Sequence, residues 1–351
     1  MKIKNLSIFV LLLLFSSLVF PSRVGSLPEV LRPDNITIYD NELYVVEGAE
    51  ISIYSLKDLS LKREFGKKGE GPGELKIVPG FLNKVAVFPD YIMVVGVDKI
   101  VFFSKEGTFI KEKKKSFLLV QVIPVGKNFV VKRNRYSEDR KDLYVCISIY
   151  SPEMEEIKEL YRQKHVQQGT KLDMVMDFIN LNVSEDKIFV DESAGGFVIE
   201  VFDSQGKKLY RIDKDYEKID VTGEHKNAII ERFKEDPLIK RQIKLAGGWD
   251  ELKKRFMMKF MDTYPPIQSM EISGKKIYVQ TFNVKEGKSE YIVMDLKGKI
   301  IKKVYLPRFE NTPLLSKLLG ARLQTIYNDK LYYLMENEDE EEWELHVQEI
   351  R

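Results

Sequence analysis

The sequence predicts an all-β chain, a six-bladed β-propeller with a helical insertion between blades four and five. Three observations carry that expectation. A short β-rich run opened by a polar turn pair recurs six times; a second β-rich run follows each copy after a hairpin-sized gap; and only residues 223–264 replace this pattern with helical spacing. The first runs start at Leu43, Ile92, Phe129, Ile188, Ile277 and Leu331, and the second runs contain Ile53, Val101, Ile147, Val201, Val293 and Leu345. The widest interval, Ile188 to Ile277, is the one that holds the helical segment. With residues 1–26 and that segment set aside, about 47 residues remain per repeat, which matches the ~40–50 of a four-stranded blade.

The N-terminus reads as an export signal. Lys2 and Lys4 precede the apolar stretch of residues 6–20, and Pro21 ends it. A basic start followed by about 7–15 apolar residues is the form of a secretory leader, and the stretch falls short of the ~20 residues of a spanning helix. Small residues in Val24-Gly25-Ser26 put the cut after Ser26, so residues 1–26 are the leader, or an anchor if uncleaved, and residues 27–351 the propeller. The expected destination is periplasmic or extracellular. A lone cysteine, Cys146, is compatible with an oxidising compartment because it has no partner to mispair with, and its β-rich surroundings read as buried apolar packing.

Along the blades, three copies end in a glycine turn, at Gly107, Gly206 and Gly298, and a third strand follows, as at residues 108–112 and 300–306. The sixth copy reaches the end of the sequence after three strands. Rings of this type remove their open edge by borrowing a strand from the other terminus, and residues 27–31 or 35–39 are the expected donors. In the insertion, Asp236 caps a helix that Pro237 begins and Gly247-Gly248 ends; a second helix carries Leu252, Phe256 and Phe260 at i, i+4, i+8 beside Met257 and Met261. That stripe is expected to pack on its own domain, with Lys253, Lys254, Arg255 and Lys259 facing out. The runs at residues 111–115 and 338–342 read as solvated charged turns.

The composition excludes several function classes. Fifty-six basic against 54 acidic residues is not the balance of a nucleic-acid-binding domain. Three histidines, His165, His225 and His346, share no zinc-ligand spacing, and no Gly-x-Ser-x-Gly elbow occurs. In a propeller, polar groups at strand ends ring the central channel. The residues that follow the six first runs are Glu47, Gly96, Lys132 with Arg133, Asp191 with Glu192, Gln280 and Glu336. Glu47, Lys132, Arg133, Asp191, Glu192 and Gln280 are therefore the candidate ligand-binding set. Only Asp191 and Glu192 supply two neighbouring carboxylates toward a hard metal, so no metal, cofactor or catalytic residue is expected.

The stretch Phe65-Gly66-Lys67-Lys68-Gly69-Glu70-Gly71-Pro72-Gly73-Glu74-Leu75 resembles the Gly-x-x-Gly-x-Gly-Pro-Gly-Glu loop of bacterial six-bladed β-propeller proteins related to NHL repeats. Val78-Pro79-Gly80 through Gly107, and Tyr264-Pro265-Pro266-Ile267 after a helical insertion, are similar to the same family. The likeness covers most of the chain, although the family's aspartate and Asn-Arg near the second strand are absent at residues 94–100. The resemblance implies the fold and an inter-blade role for Gly66, Gly69, Gly71, Pro72, Gly73 and Glu74. A phosphate cradle is the competing reading of these glycines, but it requires a following helix, and β-type sequence follows instead. The expected function is an exported, non-enzymatic binding or scaffold propeller for a protein, peptide or glycan. The alternative is a metal-dependent, lactonase-like propeller hydrolase or lyase with its site at the channel mouth.

Overall fold

The computed structural model describes residues 21–78, 81–115, 119–167, 172–173, 179–192, 196–255, 258–307 and 322–351. The apolar stretch read as a leader therefore lies, through Phe20, outside the described residues. The first strand is β1 (Ser22–Leu27). Blade one follows as β2 (Asn35–Tyr39), β3 (Glu42–Glu47), β4 (Glu50–Ser55) and β5 (Leu61–Phe65), and blade two as β6 (Lys84–Val87), β7 (Ile92–Val95), β8 (Lys99–Phe103) and β9 (Phe109–Lys114). Blade three is β10 (Leu119–Val125), β11 (Asn128–Tyr136), β12 (Asp142–Tyr150) and β13 (Glu156–Gln167), after which comes the short β14 (Leu172–Asp173). Blade four is β15 (Leu181–Ser184), β16 (Lys187–Asp191), β17 (Phe197–Phe202) and β18 (Lys208–Lys214). The insertion contains α1 (Gly223–Glu235), α2 (Pro237–Ala246), α3 (Trp249–Arg255) and β19 (Met258–Lys259). Blade five is β20 (Ser269–Ser273), β21 (Lys276–Lys285), β22 (Lys288–Asp295) and β23 (Ile300–Pro307), and blade six is β24 (Gln324–Tyr327), β25 (Lys330–Asn337) and β26 (Glu342–Glu349), completed by β1.

The six sheets are each four-stranded and antiparallel, ordered A to D outward from the axis. The innermost strands touch in the cycle β2, β6, β10, β15, β20, β24 and back to β2, with a parallel bridge between Asn35 and Arg322 at the join. The second and third strands are apolar on both faces because each lies between two neighbouring blades; β7, β8 and β17 are buried along their whole length. Fourth strands such as β9 and β18 face water. The ring consequently has six apolar clusters, one per blade junction, and at ~1.5–3 kcal/mol per fully buried large side chain these dominate its stability. Cys146 is a buried free thiol in this packing, as its sequence context indicates.

Ring closure uses a borrowed strand, but not from either expected segment. β1 pairs antiparallel with β26, from Ser22 opposite Val347 to Leu27 opposite Trp343. Residues 27–31 contribute only Leu27, and residues 35–39 form the innermost strand of blade one. Sequence reading missed β1 because it abuts the apolar stretch of residues 6–20, and its small residues read as part of the segment before the propeller. Leu27 is fully buried with Val30, Trp343 and Leu345, and the Trp343 indole N–H donates to the Leu31 carbonyl at 3.1 Å.

The third-to-fourth-strand turns repeat one device. The side chain of Ser104, Ser151, Asp203 or Asp295 accepts backbone N–H groups two and four residues on, and the turn is finished at positive φ by Gly107, Met154, Gly206 or Gly298. Gly206 sits against Leu160 and Gly298 against Ile212 of the preceding blade, so closely that a Cβ at either would lie 2.5 Å from that side chain. At the closing junction the small and large partners are exchanged: Leu59 occupies the turn and packs on Gly25 of β1.

The insertion has three helices. Thr222 caps α1 in a reciprocal box with His225, which assigns that histidine a structural role. α2 starts and stops where Pro237 and Gly247-Gly248 predict. α3 is described only to Arg255, and Phe260 lies beyond it outside a helix; Phe256 and Met257 fall outside the described residues. Phe233, Ile239 and Leu252 form the insertion's own small core, with Trp249 and Phe260 packed on it. One further expectation is corrected: Lys111 to Lys114 belong to β9 rather than to a turn.

Candidate functional site: one end of the central channel

Strand direction alternates within each blade. The second-to-third-strand hairpins and the inter-blade connections therefore emerge at one end of the ring, here the loop end; the remaining hairpins form the opposite, hairpin end. Innermost strands begin and second strands finish at the loop end, which brings all six candidate residues to that half of the molecule. The structure does not gather their side chains into one cluster.

Glu47 ends β3 and accepts the backbone N–H groups of Leu31 and Arg32 at 3.1 and 2.9 Å, pinning the link from β1 to β2. Asp191 is fully buried and accepts from the Asn180 backbone N–H and side-chain amide at 2.6 and 2.5 Å. Lys132 donates to the Ile179 carbonyl, and the Gln280 side chain accepts from the Ser269 hydroxyl at 3.0 Å. Arg133 instead lies across the face of blade three, over the Tyr150 ring and 2.6 Å from Glu156. Glu192 sits near Arg211 of the outer strand of blade four, at 4.0 Å. Gly96 donates its N–H to the Lys99 carbonyl, and Glu336 is exposed.

The glycine-rich loop holds an anion that belongs to the chain itself. Glu74 folds back over Gly69, whose missing side chain makes room, and accepts the Gly71 N–H at 2.9 Å; this and the neighbouring Lys67 lower its pKa. Buried Lys99 donates to the Gly71 carbonyl at 2.6 Å and to Glu112 at 2.8 Å, and Glu112 accepts the Gly73 N–H. The loop thereby clasps blade two to blade one.

Next to the axis, single polar groups stitch neighbouring blades. Gln121 donates to the Leu181 carbonyl, Asn182 to Met270, and Asn83 to Gly48, while Glu271 accepts the Ile326 N–H and pairs with Arg322. Asn35 and Asn182 point their amides at neighbouring blades. Between blades two and three the arrangement differs. Lys84 at the start of β6 feels the charges of Lys132 and Lys115, and burial together with those charges holds its pKa down to about 8. Lys115, also about 8, is lowered by burial against the opposing influence of Asp98. Sequence reading missed Lys84 because the innermost strand that carries it is four residues long and lacks an apolar run.

These shifts carry a sign. Both lysines are protonated less readily when folded, so the ring gains stability as pH rises from about 8 toward the ordinary lysine value near 10.4. Side-chain NMR of Lys84 is expected to give a midpoint near 8, raised in Lys132→Met; a midpoint near 10.4 would show that no such cluster exists.

The loop end exposes Leu31, Ile77, Phe81, Tyr136 and Val284, of which Ile77, Phe81 and Tyr136 belong to the links and turns of blades two and three. The insertion covers another sector. β14 pairs with β19, residue 220 bridges residue 263, and Tyr264 stacks on Phe282 of β21 at 4.6 Å. Among the described residues no three His, Cys, Asp or Glu side chains converge as a metal site.

No family model matches the chain, and no curated protein matches it. Solved structures with similar folds include the β-propeller domain of Cps50 (Swd1) from Myceliophteria thermophila, at 9% identity and a TM-score of 0.46, covering 94% of this chain and 100% of that one. The Pan2 WD40 domain of Neurospora crassa aligns at 9% identity and 0.44, covering 93% and 95%. BamB from Moraxella catarrhalis aligns at 9% identity and 0.34, covering 89% and 81%. At this level of overlap the neighbours carry nothing about ligand or chemistry.

Proposed function

We propose that the chain is an exported, non-enzymatic propeller that binds a protein or peptide partner across its loop end, with an acidic group of the partner entering the sector of Lys84, Lys115 and Lys132. One observation supports this above the others. Glu47 and Asp191 at that end hold the chain's own loops, Lys132 also holds the Ile179 carbonyl, and Lys84 lies in the field of Lys132 and Lys115 at an end that exposes Phe81 and Tyr136. Exposed aromatic and aliphatic anchors beside a charge of one sign are the elements of a partner-binding surface. Glu47 and Asp191 are thus scaffold groups rather than ligand groups in this reading.

Photo-crosslinking tests it. A benzoylphenylalanine at Phe81 or Tyr136 is expected to capture the same partner, and one at Lys127 on the hairpin end to capture none. Capture from Lys127 alone, or stoichiometric calcium or zinc bound in the channel of the purified protein, would overturn the reading in favour of another face or of metal chemistry.

A further inference from the structure

We propose that the hairpin end of the ring, at the corner of blades five and six, rests on a membrane surface carrying anionic phospholipid, tethered there by the chain's own N-terminal apolar segment. This inference rests on the export reading and adds an orientation to it.

The first observation is the direction of β1. Ser22 pairs with Val347 near the hairpin end and Leu27 reaches the loop end, so the preceding residues leave the ring from the hairpin end. A cut after Ser26 would remove five of the six residues that close the ring. Closure therefore requires that the chain upstream of Ser22 stay attached, or be cut before Ser22, and the apolar residues 6–20 begin directly beyond Pro21.

The second is the chemistry of the surface around that exit. A cleft of about 340 Å³ lies there, lined by Lys276, Lys302, Lys330 and Arg351 together with Asp329 and Glu349. Lys276 and the Tyr278 hydroxyl hold Asp329, and Arg351 holds Glu349 at 2.5 Å, so the cleft's carboxylates are paired within it. On the adjoining turn, Asp295 accepts the backbone N–H groups of Lys297 and Lys299, leaving both ammonium groups at the surface. Outer strand β23 continues the surface with exposed Ile300, Ile301 and Tyr305 interleaved with Lys302 and Lys303. Aliphatic and aromatic side chains among lysines are the composition of a lipid headgroup interface. At the same end the turns of blades one to four mix acids such as Asp40, Asp90 and Asp186 with lysines such as Lys57, Lys105 and Lys127.

Each cation near an anionic leaflet strengthens binding about fivefold, and the attraction decays within a Debye length of roughly 10 Å at 0.1 M salt. The test uses the full chain in nanodiscs of phosphatidylcholine alone or with 30% (roughly) phosphatidylglycerol, in a Cys146→Ala background. A fluorophore at Lys330→Cys is expected to be quenched by lipid-borne quencher at least ~3-fold more with the anionic lipid than without, an effect removed by high salt; one at Tyr136→Cys is expected not to respond. Lys299→Glu with Lys303→Glu, two exposed changes that leave the cleft's pairs intact, is expected to abolish the difference. Equal quenching with both lipids overturns the lipid contact and leaves export standing. An isolated protein whose first residue is Pro21 or any later one overturns the tether itself.

Discussion

A chain beginning at Leu27 will be at least ~3 kcal/mol less stable than one beginning at Pro21, and will associate through an open sheet edge. Five strand residues leave with residues 22–26, and with them most of the backbone ladder to β26, each bond worth ~1 kcal/mol net. Glu344 also loses its partner, the Arg23 guanidinium 3.0 Å away in the intact ring. Loss of the strand uncovers β26 from residue 344 to residue 347 as an edge, a template for pairing with a second molecule. Chemical denaturation and size-exclusion chromatography measure both effects. A synthetic peptide of residues 21–27 is expected to restore the monomer by adding itself as a strand. If the two chains unfold at the same denaturant concentration, β1 does not close the ring.

Gly206→Val will cost about 3 kcal/mol. The position has φ near +75°, where a branched residue is strained by ~1–2 kcal/mol, and its new Cβ would lie 2.5 Å from Leu160. Overpacking of that kind adds ~1–3 kcal/mol. Leu160→Ala, made on top of Gly206→Val, is expected to recover the packing part and not the backbone part, so the double variant should sit between the two. Urea melts of the three proteins decide it: a double variant no more stable than Gly206→Val alone would show that blade-to-blade contact at this turn is not the origin of the loss.

The blades were legible because their second and third strands are buried on both faces. That burial writes uninterrupted runs such as residues 92–95 and 197–202, and all six pairs are found where the runs predict. Innermost strands left little trace. They are four to seven residues long and alternate apolar packing with groups that stitch blades, such as Asn182 and Glu271. That same mixture concealed the lysine sector, since Lys84 begins such a strand and Lys115 ends a run that reads as a solvated turn. Counting back from each second strand to the polar residue that precedes its innermost neighbour is the signal that would have located Asp34, Asn83 and Arg322. The strand-end rule selected residues at a single end of the ring. It could not distinguish a carboxylate that faces a ligand from one that holds a loop, because that depends on linkers such as residues 31–32 and 179–180, distant in sequence from the strand ends they meet.

The pairing of Ser22 with Val347 also fixes an order of events in biosynthesis. The closing strand is among the first segments synthesised, yet its partner is among the last, so β1 must wait unpaired while five blades assemble. Contacts spanning nearly the whole chain are slow to form, and exposed strands invite wrong pairing in the interval. Arg23 and the bulge beside Gly25 make β1 a poor template for anything but the edge that fits it. Completion of the ring therefore doubles as a check on the chain: only a molecule made to its final strand can shut.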